Sequence, residues 1–441
     1  MNTLVSMLFL LQAQEEFDRL KREVEESKRH QRELEKRLDA LEKEQKESRS
    51  FLDRLLSGRE EQEEGAETIF DEGFWFVGKD DRLRIGGSAQ LDGRFFPEDE
   101  DGDSNFLVRR ARIYGTGVLE EHWGYMVMGR WDQQTPNLHF AWFESQHLPY
   151  ARFRVGLFKE PFSMEGLHSD QYWDFVERSI AVSNLLQLED IGAMLYGKLG
   201  ADHLEYGFGV FNGRGRTLEN NPEKEFAGRL VVAPFRGVIP VFNDLFLGAS
   251  VTTSGQEETL AGSGFQTGAA TRFFTWSAGA AVDDDRTRWG ADLEWLFGPV
   301  ALRAEYLKVD WGAIDLGGAS ENFRAGGWFV EGACVLTGEA KRRNRPVLPD
   351  KVFDPGKGGW GALEVVARYE VFRLEEDVLD AGFATGTDAV RGSTIGINHY
   401  PNKHMIFKFQ VQYLKFDDDI LVGSRQNDDE LALFARFQFE F

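Results

Sequence analysis

From Arg82 to the C-terminus the chain repeats one pattern: runs of roughly ten residues in which apolar and polar side chains alternate, the length of a tilted strand that crosses a bilayer. The last run, LALFARFQFEF, shows it most cleanly. Leu431, Leu433, Ala435, Phe437, Phe439 and Phe441 fall on one face; Ala432, Phe434, Arg436, Gln438 and Glu440 fall on the other. A period of two predicts a strand with one apolar and one wet side. A single such strand suits a soluble sandwich. A dozen or more, with aromatic ends, suit a transmembrane barrel whose lipid-facing and lumen-facing residues must alternate.

About seventeen stretches between Arg82 and Phe441 fit the pattern. Bacterial single-chain barrels prefer even numbers, so one stretch is expected to be a loop, and 272–282 is the one singled out. The reading is therefore an all-β barrel of about sixteen antiparallel strands, with 272–282 as a loop. Some connections are very short, as at Phe297-Gly298-Pro299; others read as long and acidic, notably 97–104, 310–323 and 417–429. Short turns on one rim and long loops on the other are expected of outer-membrane barrels. The longest stretch without alternation, 159–189, exceeds what compact domains usually leave unstructured. It is expected to fold into the lumen and narrow it.

The polar faces then line the pore. Period two turns Arg84, Arg94, Arg110, Arg112, Arg154, Arg303, Arg368, Lys408 and Arg436 inward, with Asp292, Glu294, Glu305, Glu364 and Glu370. A basic side chain at the lipid midplane costs a few kcal/mol, so the lumen is the cheaper place. Rings of Arg and Lys select anions. The same side chains can instead brace the wall as cross-strand ion pairs.

The N-terminal part has a different period. Leu4–Leu11 is a short apolar run of signal-peptide length, so residues 1–14 read as an export-signal remnant. From Phe17 the apolar positions step by threes and fours through Leu20, Val24, Leu34, Leu38, Leu41, Leu52 and Leu55. That is the seam of a coiled coil, placed over residues 15–57, with an acidic linker over 58–73 and the barrel over 74–441. As a helix, residues 17–55 would span about 58 Å at 1.5 Å per residue.

Composition removes several classes. Of 441 residues the net charge is −23, which argues against a nucleic-acid partner but not against anion passage, because a pore responds to its local field. Mean hydropathy is −0.40, and beyond the first residues no run approaches the ~20 apolar residues of a spanning helix. A single cysteine, Cys334, makes no intramolecular disulfide framework. The eight histidines have no ligand spacing, and GSGFQTG at 262–268 lacks the lysine of a phosphate-cradling loop. No enzyme, cofactor or metal is expected.

Several ordered motifs carry a family resemblance: FLVRRARIYGTG (106–117), VGLFKEPFSMEGL (155–167), FVERS (175–179), LEDIGAMLYGKL (188–199), LTGEAKRR (336–343), GGWGALEVVARYE (358–370) and GINHYPNKH (396–404). From about residue 74 onward the chain resembles the phosphate-selective porin O and P family of trimeric, sixteen-stranded outer-membrane channels. The resemblance implies an anion path along inward arginines and lysines, narrowed by an inserted loop. Arg109 and Arg110 match the family's paired arginines on the second strand, and of the two the alternation favours Arg110 as the luminal one. Lys159, at the entry to the long loop, is a candidate constriction charge. The loop itself is acidic, with Glu160, Glu165, Asp170, Asp174, Glu177 and Glu189 against Lys159 and Arg178; this speaks against phosphate selectivity.

The expectation is an outer-membrane channel for small, anionic solutes such as phosphate, in contact with outer-membrane lipid. It would be homotrimeric, with the coiled coil in the periplasm and in reach of the cell wall. The alternative is a general or cation-tolerant porin acting chiefly as a coiled-coil tether between outer membrane and cell wall.

Overall fold

The computed structural model describes residues 67–70, 73–97, 104–132, 135–216, 222–422 and 425–441. The export-signal segment and the coiled coil read over 15–57 lie outside the described residues. Part of the stretch read as linker is structured: Glu67–Phe70 pairs with Phe74–Val77 as a hairpin.

Sixteen antiparallel strands make the wall. The first eight are β1 Arg82–Phe95, β2 Asn105–Leu119, β3 Trp123–Asp132, β4 Thr135–Ser145, β5 Arg152–Lys159, β6 Glu189–Leu199, β7 Leu204–Phe211 and β8 Glu225–Val232. The second eight are β9 Asp244–Thr259, β10 Ala281–Phe297, β11 Val300–Leu316, β12 Ala319–Val335, β13 Ala362–Leu374, β14 Ala389–Asn402, β15 Met405–Val422 and β16 Arg425–Glu440. Each pairs with the next. The terminal β16 returns to β1, Leu433–Glu440 against Phe95–Ser88, and closes the ring. Closure removes every sheet edge, the condition for a sheet to cross lipid. The hairpin 67–77 pairs the remaining start of β1, from Phe74 opposite Ile85 to Val77 opposite Arg82.

The alternation comes out inverted relative to a soluble protein. On β10, Arg286, Arg288, Asp292 and Glu294 are buried while Trp289, between them, is 51% exposed. Val127, Phe208, Ile395 and Phe409 are likewise exposed outward. An apolar outer band around a polar interior is stable in lipid and not in water.

The stretch 272–282 is not a wall strand. Arg272–Trp276 forms a small three-stranded sheet with Gly264–Gln266 and Ala384–Gly386, and only Ala281 and Val282 enter β10. This sheet sits inside the barrel, where Phe265, Phe273, Phe274 and Trp276 pack on the inward faces of Phe323, Phe372 and Phe416.

Two acidic stretches expected as loops are strand. Residues 310–316 and 319–323 extend β11 and β12 to a tight turn at Gly317-Gly318, both with positive φ (60° and 91°), as a two-residue hairpin requires. Asp417–Asp419 likewise continue β15 with exposed side chains. Carboxylates here signal solvated strand rather than loop. The other rim carries one long excursion, 336–361, between β12 and β13.

Candidate functional site: the lumen and its inserted loop

The chain leaves the wall at Lys159 and returns at Glu189. The intervening loop carries two short helices, α1 Met164–Leu167 and α2 Ile180–Leu185, each capped by the serine before it. Wall carboxylates complete the caps. Glu305 accepts from the Met164 and Glu165 amides at 2.9 Å each, and Glu370 from the Ile180 amide at 2.7 Å. A carboxyl oxygen at a helix N-terminus accepts from amides that have no partner within the helix. Lys159 does the converse at the end of α1: its Nζ donates to the carbonyls of Gly166 (2.8 Å), Leu167 (3.3 Å) and His168 (2.7 Å).

Most acids of this loop are paired with cations of the wall and of the 336–361 excursion. Arg112 grips Asp170 bidentately, both bonds 2.6 Å, with Arg110 at 3.1 Å. Glu177 meets Arg94 at 2.9 Å and Arg109 at 3.2 Å. Asp174 takes Arg303 at 2.7 Å and Lys341 at 2.5 Å, while Glu160 takes Arg288 at 2.6 Å. Glu165 lies 3.7 Å from Arg368 and accepts from the Ser179 hydroxyl. Burial opposes ionisation of Asp170, but Arg112 and Arg110 outweigh it and hold the carboxyl well below its ordinary range. Against the same burial, Arg109 and Arg94 hold Glu177 low, and Lys341 and Arg303 hold Asp174 low. The loop is thus pinned by charge pairs whose single-partner loss is costly.

What remains open is a cavity of about 1130 Å³ beside β1–β4. Ten basic residues line it against four acids, Asp132, Asp170, Glu177 and Glu189. Two β-bulges enrich this side. Val108 pairs with Leu91 and Arg110 with Gln90, so Arg109 is the extra residue. His139 is the extra residue of β4, between Leu138 and Phe140. A bulge re-aims side chains, and both Arg109 and Arg110 reach the lumen, where strict alternation would have sent one to lipid.

From the opposite rim the 336–361 excursion enters the lumen. Lys341 reaches Asp174 and Glu364, Arg343 reaches Glu205 (2.8 Å) and Glu294 (3.0 Å), and Asn344 accepts from the Ser169 amide of the loop.

The candidates read from the sequence divide into two groups. Arg84, Arg94, Arg109, Arg110, Arg112 and Lys159 line the open cavity. Arg154, Arg303, Arg368, Lys408 and Arg436 do not. Arg154 and Arg303 pair across strands with Glu144 and Glu294, and Arg436 is bidentate to Asp92 at 2.7 and 2.6 Å. Arg368 lies against Glu165 and Glu370, and Lys408 donates to the Trp173 carbonyl. Cross-strand bracing fits Arg154, Arg303 and Arg436; Arg368 and Lys408 instead hold the inserted loop. Alternation along β3, with Met126 and Met128, also points Arg130 into the cavity, where reading the sequence did not place it. Arg214 and Arg216 line it from the β7–β8 connection, where no period marks them.

The family model described as phosphate-selective porin O and P matches residues 82–441. Porin O of Pseudomonas aeruginosa is 24% identical over 400 residues, covering 82% of this chain and 89% of that protein. Among solved structures, OmpT of Vibrio cholerae in a trimer form superposes with a TM-score of 0.52 at 11% identity, over 82% of this chain and 100% of that one. An anion-selective porin from Comamonas acidovorans gives a TM-score of 0.52 at 13% identity, over 82% and 100% respectively. These likenesses between structures speak for the barrel fold.

Proposed function

The chain belongs to the phosphate-selective porin O and P family, outer-membrane channels rather than enzymes, and from that premise we propose that it passes small anions, phosphate among them. One observation carries the reading: the open cavity is lined by ten basic and four acidic residues in a chain whose net charge is −23. Two of those acids, Asp170 and Glu177, are paired with Arg112 and Arg94, and with both pairs set aside eight cations still face two acids. Guanidinium groups offer paired N–H donors that match phosphate and carboxylate oxygens, and excess positive field in a narrow path favours anions. Arg110, Arg112 and Arg130 on neighbouring strands, with Arg109 beside them, are the residues assigned to the path, and Lys159 to its constriction.

The short-turn rim faces the periplasm in this reading, as in other outer-membrane barrels. A homotrimer is the assembly we favour, as in the OmpT trimer form, and the heptad seam of 17–55 supports a periplasmic coiled coil. The test is chloride current through the purified protein in a planar bilayer, with inorganic phosphate added. Millimolar phosphate is expected to depress the chloride current; an unchanged current in a pore that still prefers chloride to potassium would overturn the phosphate assignment.

A further inference from the structure

Beyond Lys159, on the β4–β8 side and towards the short-turn rim, lies a second cavity of about 540 Å³. It shares Met126, Phe140, Lys159 and Leu167 with the basic cavity, so these four side chains mark the neck between the two. The linings differ in kind. Phe140, Trp142, Phe158, Tyr196 and Tyr206 all border the second cavity. Phe158 is buried beneath; Trp142 and Tyr196 pack on it and stay half-buried at the cavity wall, while Tyr206 shares the outward parity of Phe208.

Cations accompany the rings. Arg154 lies 4.1 Å over Trp142 and 4.9 Å over Tyr196. Its Nε and Nη2 donate to Glu144 at 2.8 and 2.5 Å, leaving Nη1 outside those bonds. At the neck, Lys159 Nζ is held only by main-chain carbonyls; among the described residues no carboxylate pairs with it. Inward aromatics elsewhere in this barrel are fully buried, as Phe372 and Phe416 are; Trp142 and Tyr196 pack on the Phe158–Met194 cluster but are only half-buried.

We infer that the second cavity is a station for organic anions with a flat apolar body, the arylcarboxylates. The carboxylate meets Nη1 of Arg154, close to the charge of Lys159, and the ring lies against Trp142 and Tyr196. A hydrated phosphate gains nothing from aromatic walls, whereas an aryl ring recovers stacking and apolar contact there. The inference rests on the anion-channel reading above and adds a substrate class to it.

The test uses the full chain in a planar bilayer in potassium chloride, with benzoate as probe, acetate as the carboxylate without a ring, and phosphate as the ion of the basic cavity. Benzoate is expected to interrupt chloride current at roughly tenfold lower concentration than acetate, a difference of about 1.4 kcal/mol. Trp142→Leu is expected to bring benzoate close to acetate while phosphate acts as before. If that variant fails to give a heat-modifiable barrel, Tyr196→Leu probes the same wall. Equal action of benzoate and acetate on the native chain, or an unchanged benzoate effect in the variants, overturns the inference. A native pore that prefers potassium to chloride overturns the anion-channel reading itself, which is a separate result.

Discussion

On β2 and β3 the inward side chains are Arg110, Arg112, Met126, Met128 and Arg130, and they border open space. On β13 and β15 the inward positions run Glu370, Phe372, Leu374 and Gln412, Leu414, Phe416, and they are sealed beneath the luminal sheet and α2. Both sides obey the same period of two. The difference lies in what covers them. Phe265 stacks on Phe274 at 5.1 Å and Trp276 sits edge-on to Phe323 at 4.9 Å, so half the barrel holds a core like that of a soluble domain. The other half holds charge and water-sized space. Alternation decides which side chains enter a barrel; the inserted segments decide which of those an ion can meet.

The contrast can be broken from either side. The largest effect is expected from Arg110→Gln with Arg112→Gln, which removes two of the lining cations and strips Asp170 of its bidentate partner. Charge-assisted hydrogen bonds are worth ~1.5–3 kcal/mol each, so with two removed phosphate should act at least about a hundredfold more weakly, with reversal potential moving towards cations. On the sealed side, Phe274→Ala should cost about 3–5 kcal/mol of core packing. The luminal sheet should loosen and single-channel conductance rise, while heat-modifiability of the wall persists. Conductance equal to the native value would show that the plug does not set the bore.

Smaller effects sharpen the same comparison. Glu177→Gln leaves Arg94 and Arg109 without their carboxylate partner; anion preference should rise and current noise increase as the loop loses an anchor. Arg324→Ala, at the rim, breaks exposed pairs to Asp310 and Glu375. Such pairs contribute at most about 1 kcal/mol, so selectivity should not change measurably.

Acid should do least of all above about pH 4. Asp170, Asp174 and Glu177 are held below their ordinary range, so the stability they give the docked loop is present above the unfolded carboxylate value near ~4. It is lost only as pH falls through the lower folded values. Docking of the loop, read as single-channel current noise, should therefore stay unchanged down to about pH 4; a step at pH ~4–5 would place an ordinary carboxylate in control of it.

Much of this was legible in the chain. Period two placed the sixteen wall strands, the preference for an even number set 272–282 aside, and the absence of period over 159–189 marked the loop. The sealed half left a trace as well. Leu307 and Val309, Phe372 and Leu374, and Leu414 and Phe416 make the inward face apolar near one rim, a pattern with no purpose in a water-filled tube. The bulge at Arg109 left none, because one extra residue changes facing without changing composition. Nor did the pairing of Asp174 with Arg303 or of Glu160 with Arg288. Which acid meets which base across more than a hundred residues is fixed by the closed ring, not by any local signal.

The most direct measurement is the reversal potential of the purified full-length protein across a planar bilayer in a potassium chloride gradient. The account predicts a value on the chloride side although the chain carries a charge of −23, because the ten cations at the cavity outweigh its four acids. A value on the potassium side would mean that the rim and loop carboxylates govern the path, and would contradict it.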